Sequence, residues 1–281
     1  MDFAKLHGTG NDFVLVDARG QRRDWPSLAQ AICDRHFGVG ADGLILATES
    51  HKAAVRMRIF NADGSEAEMS GNGMRCLVKF AVEQGIATPR DGDLLDVETG
   101  AGIMRVRITT DAAGRVTDVR EGMGAPRLAP QEIPMAVEAV PPITAYPIDV
   151  DGRTLAITAV SMGNPHAVHF QHSDVADFPL HQLGPLMEHH SLFPRRTNFE
   201  VVRVLNSSRA EMRVWERGVG ETLSCGSGAS AVMVAARLQG LAGDELELSV
   251  PGGTLHLEWD GHGEVVLTGP VEEVFRGVWP D

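Results

Sequence analysis

Lysine is almost absent from this chain: Lys5, Lys52 and Lys79 are the only three among 281 residues. Pyridoxal chemistry needs a Schiff-base lysine beside a phosphate site, and none of the three stands in such a setting. Cysteine is nearly as scarce. Cys33, Cys76 and Cys225 cannot form a paired framework, and none has the spacing of a CxxC or Cys/His metal motif. That usage points to a reducing, cytoplasmic compartment. Long apolar runs are missing too: no stretch reaches the roughly 18–20 residues of a membrane span, and Met1 to Lys5 lacks the basic flank and apolar stretch of a targeting segment. Positive charge is in deficit, with 25 Lys and Arg against 38 Asp and Glu and a net charge of −13. Such a field repels phosphate backbones and anionic lipid heads, so nucleic acid and membrane are set aside as partners.

What remains is an ordinary globular composition, 43% hydrophobic and 22% charged, long enough for two domains or one large one. Its organisation lies in an internal repeat. Arg58 to Gly64 precedes Ser70-Gly71-Asn72-Gly73 and an apolar helical pattern ending at Gln84-Gly85. Arg213 to Gly218 precedes Cys225-Gly226-Ser227-Gly228 and a similar pattern ending at Gln239-Gly240, at an offset of 155 residues. Gly10-Asn11-Asp12-Phe13 pairs with Gly163-Asn164-Pro165-His166 at an offset of 153, and Phe37 to Asp42 pairs more weakly with Phe193 to Asn198. Three pairs in one order predict two copies of one fold: residues 1–121 plus 266–281, and residues 122–265.

Within each copy the pattern predicts strands around a single helix. Val14 to Val16, Gly43 to Ala47, Val55 to Phe60, Leu95 to Val97, Met104 to Ile108 and Val116 to Arg120 are short, β-branched and turn-bounded. Leu77 to Val82 and Ala229 to Leu238 are apolar on all sides, as helices wrapped by a sheet would be. Each opens at a Gly-rich turn and closes at Gly85 or Gly240. The Pro-rich stretch from Ala125 to Pro147 marks the junction, and the strands Val265 to Leu267 and Val271 to Arg276 are expected to return to the first domain. The fold class is α/β (α+β), with two pseudo-symmetric domains, each a mixed sheet around a central helix, and an active site in the cleft between them.

A Gly-rich turn that opens a helix presents unpaired backbone N–H groups and the positive end of the helix dipole. Together these bind an anion and stabilise a thiolate. Two such turns related by pseudo-symmetry would flank the α-carbon of a bound carboxylate with residue 70 on one side and residue 225 on the other. Removing a proton from one face and delivering one to the other is racemisation or epimerisation of an amino acid. Neither turn fits GxGxxG after a strand or GxxxxGK[ST], and no carboxylate spacing supports a metal site. The residues favour a two-base isomerase with no cofactor.

At this point the motifs carry a family resemblance. Asn61 to Ser65 with Ser70 to Arg75 resembles the first signature of the diaminopimelate epimerases, and Glu216 to Gly228 resembles the second. His7 to Phe13, Gly38 to Gly43 and Gly163 to His166 match as well, so the resemblance covers essentially the whole chain. It implies cofactor-free conversion of L,L-diaminopimelate to the meso form, in lysine and cell-wall synthesis, by a cytoplasmic homodimer. It implies that Asn11, Asn61, Asn164 and Asn198 hydrogen-bond the substrate and that Glu216 and Arg217 hold its distal end and reacting neighbourhood. The backbone amides of Gly71, Asn72, Gly226 and Ser227 would cradle the carboxylate at the reacting centre. Cys225 and residue 70 would be the two acid/base groups, with His166 and Glu216 close by to tune them.

One position departs from the family pattern, which has a cysteine before Gly71-Asn72-Gly73 where this chain has Ser70. A hydroxyl is a far weaker acid than a thiol and must borrow a base. Cys76 lies more than a turn further into the helix and does not replace it. Three readings stand: a substitution made to trap a complex, a variant that epimerises with help from His166 or water, or an altered function. Altered function would mean a racemase or dehydratase acting on another amino acid, or an amino-acid-binding paralogue without turnover. Cys33 and Cys76 themselves are expected to be small buried core residues.

Overall fold

The structure, a computed structural model, describes residues 1–280. Its contacts divide the chain into a first unit, Met1–Glu121 with Thr268–Asp281, and a second, Gly122–Leu267.

The first unit opens with the antiparallel pair β1 (Asp2–Gly8) and β2 (Asn11–Asp17). Gly10, with φ of 85°, supplies the left-handed residue of the tight turn between them. Helix α1 (Trp25–Cys33) crosses to β3 (Gly43–Thr48), parallel to β2. β4 (Val55–Asn61) runs back antiparallel to β3, and the short β5 (Glu66–Ala67) folds onto β4. Helix α2 (Gly71–Glu83) follows, and then the meander β6 (Leu94–Thr99), β7 (Gly102–Thr110) and β8 (Val116–Gly122), with β6 parallel to β4.

The second unit repeats this pairing scheme. After β9 (Tyr146–Val150), strands β10 (Arg153–Ser161) and β11 (Pro165–Gln171) form the antiparallel pair. Helix α3 (Leu180–Glu188) crosses to β12 (Asn198–Asn206), parallel to β11. β13 (Arg209–Glu216) returns antiparallel, and β14 (Gly220–Thr222) folds onto it. Helix α4 (Gly226–Leu238) and the pair β15 (Glu245–Val250) and β16 (Gly253–Glu258) follow, with β15 parallel to β13. β17 (Val266–Pro270) begins in this unit and crosses into the closing segment of the first at Thr268. There β18 (Glu272–Val278) pairs antiparallel with β1.

Alternation along the strands explains the layering. In the first unit Leu6, Phe13, Leu15, Ile45 and Ile59 pack with α2, while Phe3, Val14, Val16, Leu44 and Phe60 pack with α1. In the second, Val160, Val168 and Val202 pack with α4, and Ala159, Ala167 and Val201 with α3. Helix α2 is buried without a break from Asn72 to Ala81, and α4 from Gly228 to Ala236, as the all-round apolar patterns predict. Both end at a left-handed glycine, Gly85 and Gly240, with φ of 66° and 68°.

The expectation of a single helix per copy is corrected. A sheet whose two faces both carry Val, Leu and Phe has to be covered twice, and the nine-residue helices α1 and α3 cover the second face. The Pro-rich stretch is part of the second unit, where Ile133, Met135 and Ile143 lie buried beside α3. Cys33 and Cys76 are buried core residues, and burial pushes each thiol up to about 12.

Candidate active site

Each of the two Gly-rich turns places a nucleophilic side chain at the N-cap of its central helix. Cys225 has extended backbone, φ −128° and ψ 113°, and its Sγ accepts the Gly228 N–H at 3.4 Å. Ser70 has φ −145° and ψ 125°, and its Oγ accepts the Gly73 N–H at 3.1 Å. The hydroxyl of one unit and the thiol of the other therefore occupy the same place on equivalent helices. The fourth residue of each turn is a glycine pressed against a buried side chain. A β-carbon on Gly228 would lie 2.8 Å from Glu200 Oε1, and one on Gly73 would lie 2.9 Å from Ile45 Cδ1.

In the second unit the thiol ends a polar chain that starts from the buried pair Glu200 and His166. Glu200 Oε1 and His166 Nδ1 are 2.6 Å apart, and His166 Nε2–H donates to Asn164 Oδ1 at 3.0 Å. Asn164 Nδ2 donates to Ser227 Oγ at 3.3 Å, and that oxygen lies 3.5 Å from Cys225 Sγ. Glu216, at the end of β13, accepts a hydrogen bond from Thr222 Oγ1 of the facing β14. Burial, and then the Glu216 carboxylate, drive the Cys225 thiol well above its ordinary value, against the opposing hydrogen bonds from Ser227 and the Gly228 N–H. Desolvation and neighbouring negative charge outweigh the pull of the helix start on this thiol. Asn198 is buried, with Nδ2 donating to Pro165 O and Oδ1 accepting the Arg217 N–H, both at 2.9 Å. It fastens the start of β11 to the segment carrying Arg217, whose Nη1 donates to Arg195 O at 3.1 Å.

In the first unit Asn72 Nδ2 donates to Asn11 Oδ1 at 3.1 Å, and Asn11 Nδ2 donates to Asp42 Oδ2 at 2.6 Å. Arg75, fully buried, donates from Nη2 to Asn72 Oδ1 at 2.7 Å and holds Glu121 Oε1 at 3.5 Å. Ser70, Gly71, Asn72 and Asn11 therefore lie together. Asn61 sits at the end of β4, where its Nδ2 donates to Ser65 Oγ within its own turn.

Three buried charged residues near these helix starts, Glu200, Arg75 and Glu121, escaped the sequence reading. The first two do leave a signal. Glu200 interrupts the apolar run Phe199, Val201, Val202, and Arg75 stands between Met74 and Cys76 on a helix buried on every side. A charge in such a place persists when it is paired.

The diaminopimelate epimerase family model matches residues 3–129 and 158–274. The chain belongs to that family. A diaminopimelate epimerase from Moorella thermoacetica is 50% identical over 285 aligned residues, spanning 100% of this chain and 99% of that protein. One from Desulfovibrio desulfuricans is 48% identical, spanning 98% and 96%. Among solved structures, a PhzF-family phenazine biosynthesis protein from Bacillus anthracis superposes with a TM-score of 0.70 at 18% identity, covering 99% of this chain and 98% of that one. A hydroxyproline epimerase from Agrobacterium vitis, with trans-4-hydroxy-L-proline bound, superposes with a TM-score of 0.66 at 14% identity, covering 99% and 91%. Those two likenesses bear on the fold: mixed α/β units of this kind serve more than one reaction.

Proposed function

We propose that this chain epimerises L,L-2,6-diaminopimelate to the meso form by two-base proton transfer without pyridoxal phosphate, with Cys225 as one acid/base and Ser70 in the place of the other. The observation that carries the reading is the Cys225 sulfur at the start of α4, within the field of the Glu216 carboxylate, in a chain matched end to end by diaminopimelate epimerases.

The arrangement supports the following chemistry. A substrate carboxylate seated on the amides of Gly226 and Ser227 brings its α-carbon to the sulfur, and a matching seat at Gly71 and Asn72 brings it to the Ser70 hydroxyl. Ser70 takes the α-proton only after its own hydroxyl proton has passed to water, and Cys225, with its thiol held protonated, is the donor. Once it has given up that proton, the Ser227 hydroxyl and the Gly228 N–H stabilise the thiolate. Ser70 is the weaker partner, having one hydrogen bond from the Gly73 N–H and a much less acidic proton. Asn11, Asn61, Asn164 and Arg217 are assigned to the substrate's polar groups, and the guanidinium geometry of Arg217 suits the distal carboxylate.

The reading also places the chain in the cytoplasm as a homodimer, and light scattering at micromolar concentration tests the dimer. Among the described residues, no helix is long and apolar enough to cross a membrane. The test of the function is α-proton exchange of L,L- and meso-diaminopimelate in D₂O, followed by NMR with stereochemistry, on this chain and on Ser70→Cys. Exchange with inversion in this chain is expected. Exchange without inversion would leave Cys225 working alone from one face, and no exchange in either protein would overturn the assignment.

A further inference from the structure

Both helix starts are backed by a fully buried glutamate with one unpartnered oxygen: Glu200 Oε2 in the second unit and Glu121 Oε2 in the first. Glu200 has a histidine to share its proton. Glu121 has the Arg75 guanidinium at a loose 3.5 Å. The backbone next to the Ser70 cap comes close to it, since a β-carbon built on Gly71 would lie 3.1 Å from Glu121 Oε1. Arg75 is committed elsewhere as well, donating to Asn72 Oδ1 at 2.7 Å, to Thr9 Oγ1 at 3.3 Å and from Nε to the Pro270 carbonyl at 3.3 Å.

We propose that Glu121 is a positioning residue that couples proton uptake to the seating of an amino-acid carboxylate at the start of α2. This rests on the reading of the Gly71 and Asn72 amides as one seat of the substrate carboxylate. An ionised carboxylate buried behind Gly71 would cancel the Arg75 charge and oppose a second carboxylate arriving on the helix amides. A protonated Glu121 leaves Arg75 uncompensated and the helix start attractive to an anion. The proton comes from solvent and stays on Glu121 while the ligand is bound, so no bond in the ligand changes in this step.

The surroundings of Glu121 fit such a linkage. Burial pushes its carboxyl up to about 7, against the pull of Arg75, so the group changes charge in the neutral range. From α2 it faces Arg75. From β7 it faces its register partner Val106, and the β1–β2 turn brings Thr9 to the same guanidinium. The polar path from Glu121 through Arg75 to Asn72 and on to Asn11 also connects its charge to a side chain assigned to the substrate.

The test is calorimetric binding of diaminopimelate at pH 8 in two buffers of different ionisation enthalpy, on the intact chain and on Glu121→Gln. The intact chain should take up roughly half to one proton per ligand, and Glu121→Gln markedly less. A second readout needs no variant: the infrared band of a protonated carboxyl should grow in the intact chain when ligand is added at pH 8. Equal uptake in both proteins, or neither uptake nor band growth in the intact chain, overturns the role of Glu121. Turnover in the same samples judges the functional reading separately. Ligand bound without epimerisation would sink the two-base reaction while the proton count still decides Glu121, and no binding at all would sink both.

Discussion

His166 Nδ1 lies 2.6 Å from Glu200 Oε1, and both side chains are at 0% exposure. With the other ring nitrogen donating to Asn164 Oδ1, one proton is left for the pair to share between Nδ1 and the carboxyl. The pair is neutral overall wherever that proton rests, which is why a buried strand tolerates it. Burial pushes the Glu200 carboxyl up, toward the arrangement in which it keeps the proton.

Glu200→Gln tests whether this shared proton matters to the thiol at the far end of the chain. The amide preserves a hydrogen bond to the ring and removes the titrating group. We expect kcat to fall by roughly ten- to a hundredfold, less than the roughly 10²–10⁴ of a direct acid/base group, with KM little changed. Steady-state kinetics with thermal unfolding as a control give the answer. Normal folding with an unchanged kcat would show that His166 and Asn164 orient Ser227 without any contribution from Glu200.

The state of Cys225 predicts its reactivity. With burial and Glu216 both holding the thiol protonated, the nucleophilic thiolate is rare at neutral pH. Alkylation by iodoacetamide, read at Cys225 by peptide mass spectrometry, should accelerate by about tenfold per pH unit between pH 7 and 9, with no plateau. A rate that levels off below pH 8 would mean that the helix start wins after all.

Ser70→Cys restores at the first unit the atom that the second already has. The N-cap geometry is the same on both helices, so the sulfur needs no rearrangement to accept the Gly73 N–H. Epimerisation should rise by about 10²- to 10⁴-fold, the span of one competent acid/base group, while KM stays close to its original value. A Ser70→Cys protein that folds yet is no faster would place the slow step elsewhere.

Much of this was legible from the repeat. Matching Ser70-Gly71-Asn72-Gly73 to Cys225-Gly226-Ser227-Gly228 identified both caps and both central helices, because a cap residue, a glycine exit and an apolar run are local signals. Helices α1 and α3 were not legible. Their nine residues carry a buried face that makes sense only against the second side of a sheet, and that side is assembled from strands distant in sequence. Glu121 was opaque for the same reason. At the end of β8 it looks like a solvated strand residue until Arg75, forty-six positions earlier, is packed against it. The protonation of Cys225 is set in the same way by packing: a helix dipole can be read from sequence, whereas burial and the approach of Glu216 cannot.

Glu121 also predicts how stability depends on pH. Its carboxyl titrates at about 7 when folded, against an ordinary 4.5. Between those values the unfolded chain has released a proton that the folded chain still holds, so the linkage lowers stability as pH rises through this window and is constant above it. A shift of that size corresponds to about 3 kcal/mol at most, part of which water penetration and relaxation would remove. Glu121→Gln has no proton to lose and keeps an acceptor for Arg75. Its stability relative to the parent chain should therefore climb from pH 4.5 to 7 and stay level to pH 8, while the other titrating groups cancel in the difference. Urea unfolding of both proteins at pH 4.5, 5.5, 7 and 8 measures it. A difference that is flat across the series would mean that Glu121 is already ionised in the fold and fully paired with Arg75, and a falling one would mean that this ion pair stabilises the first unit.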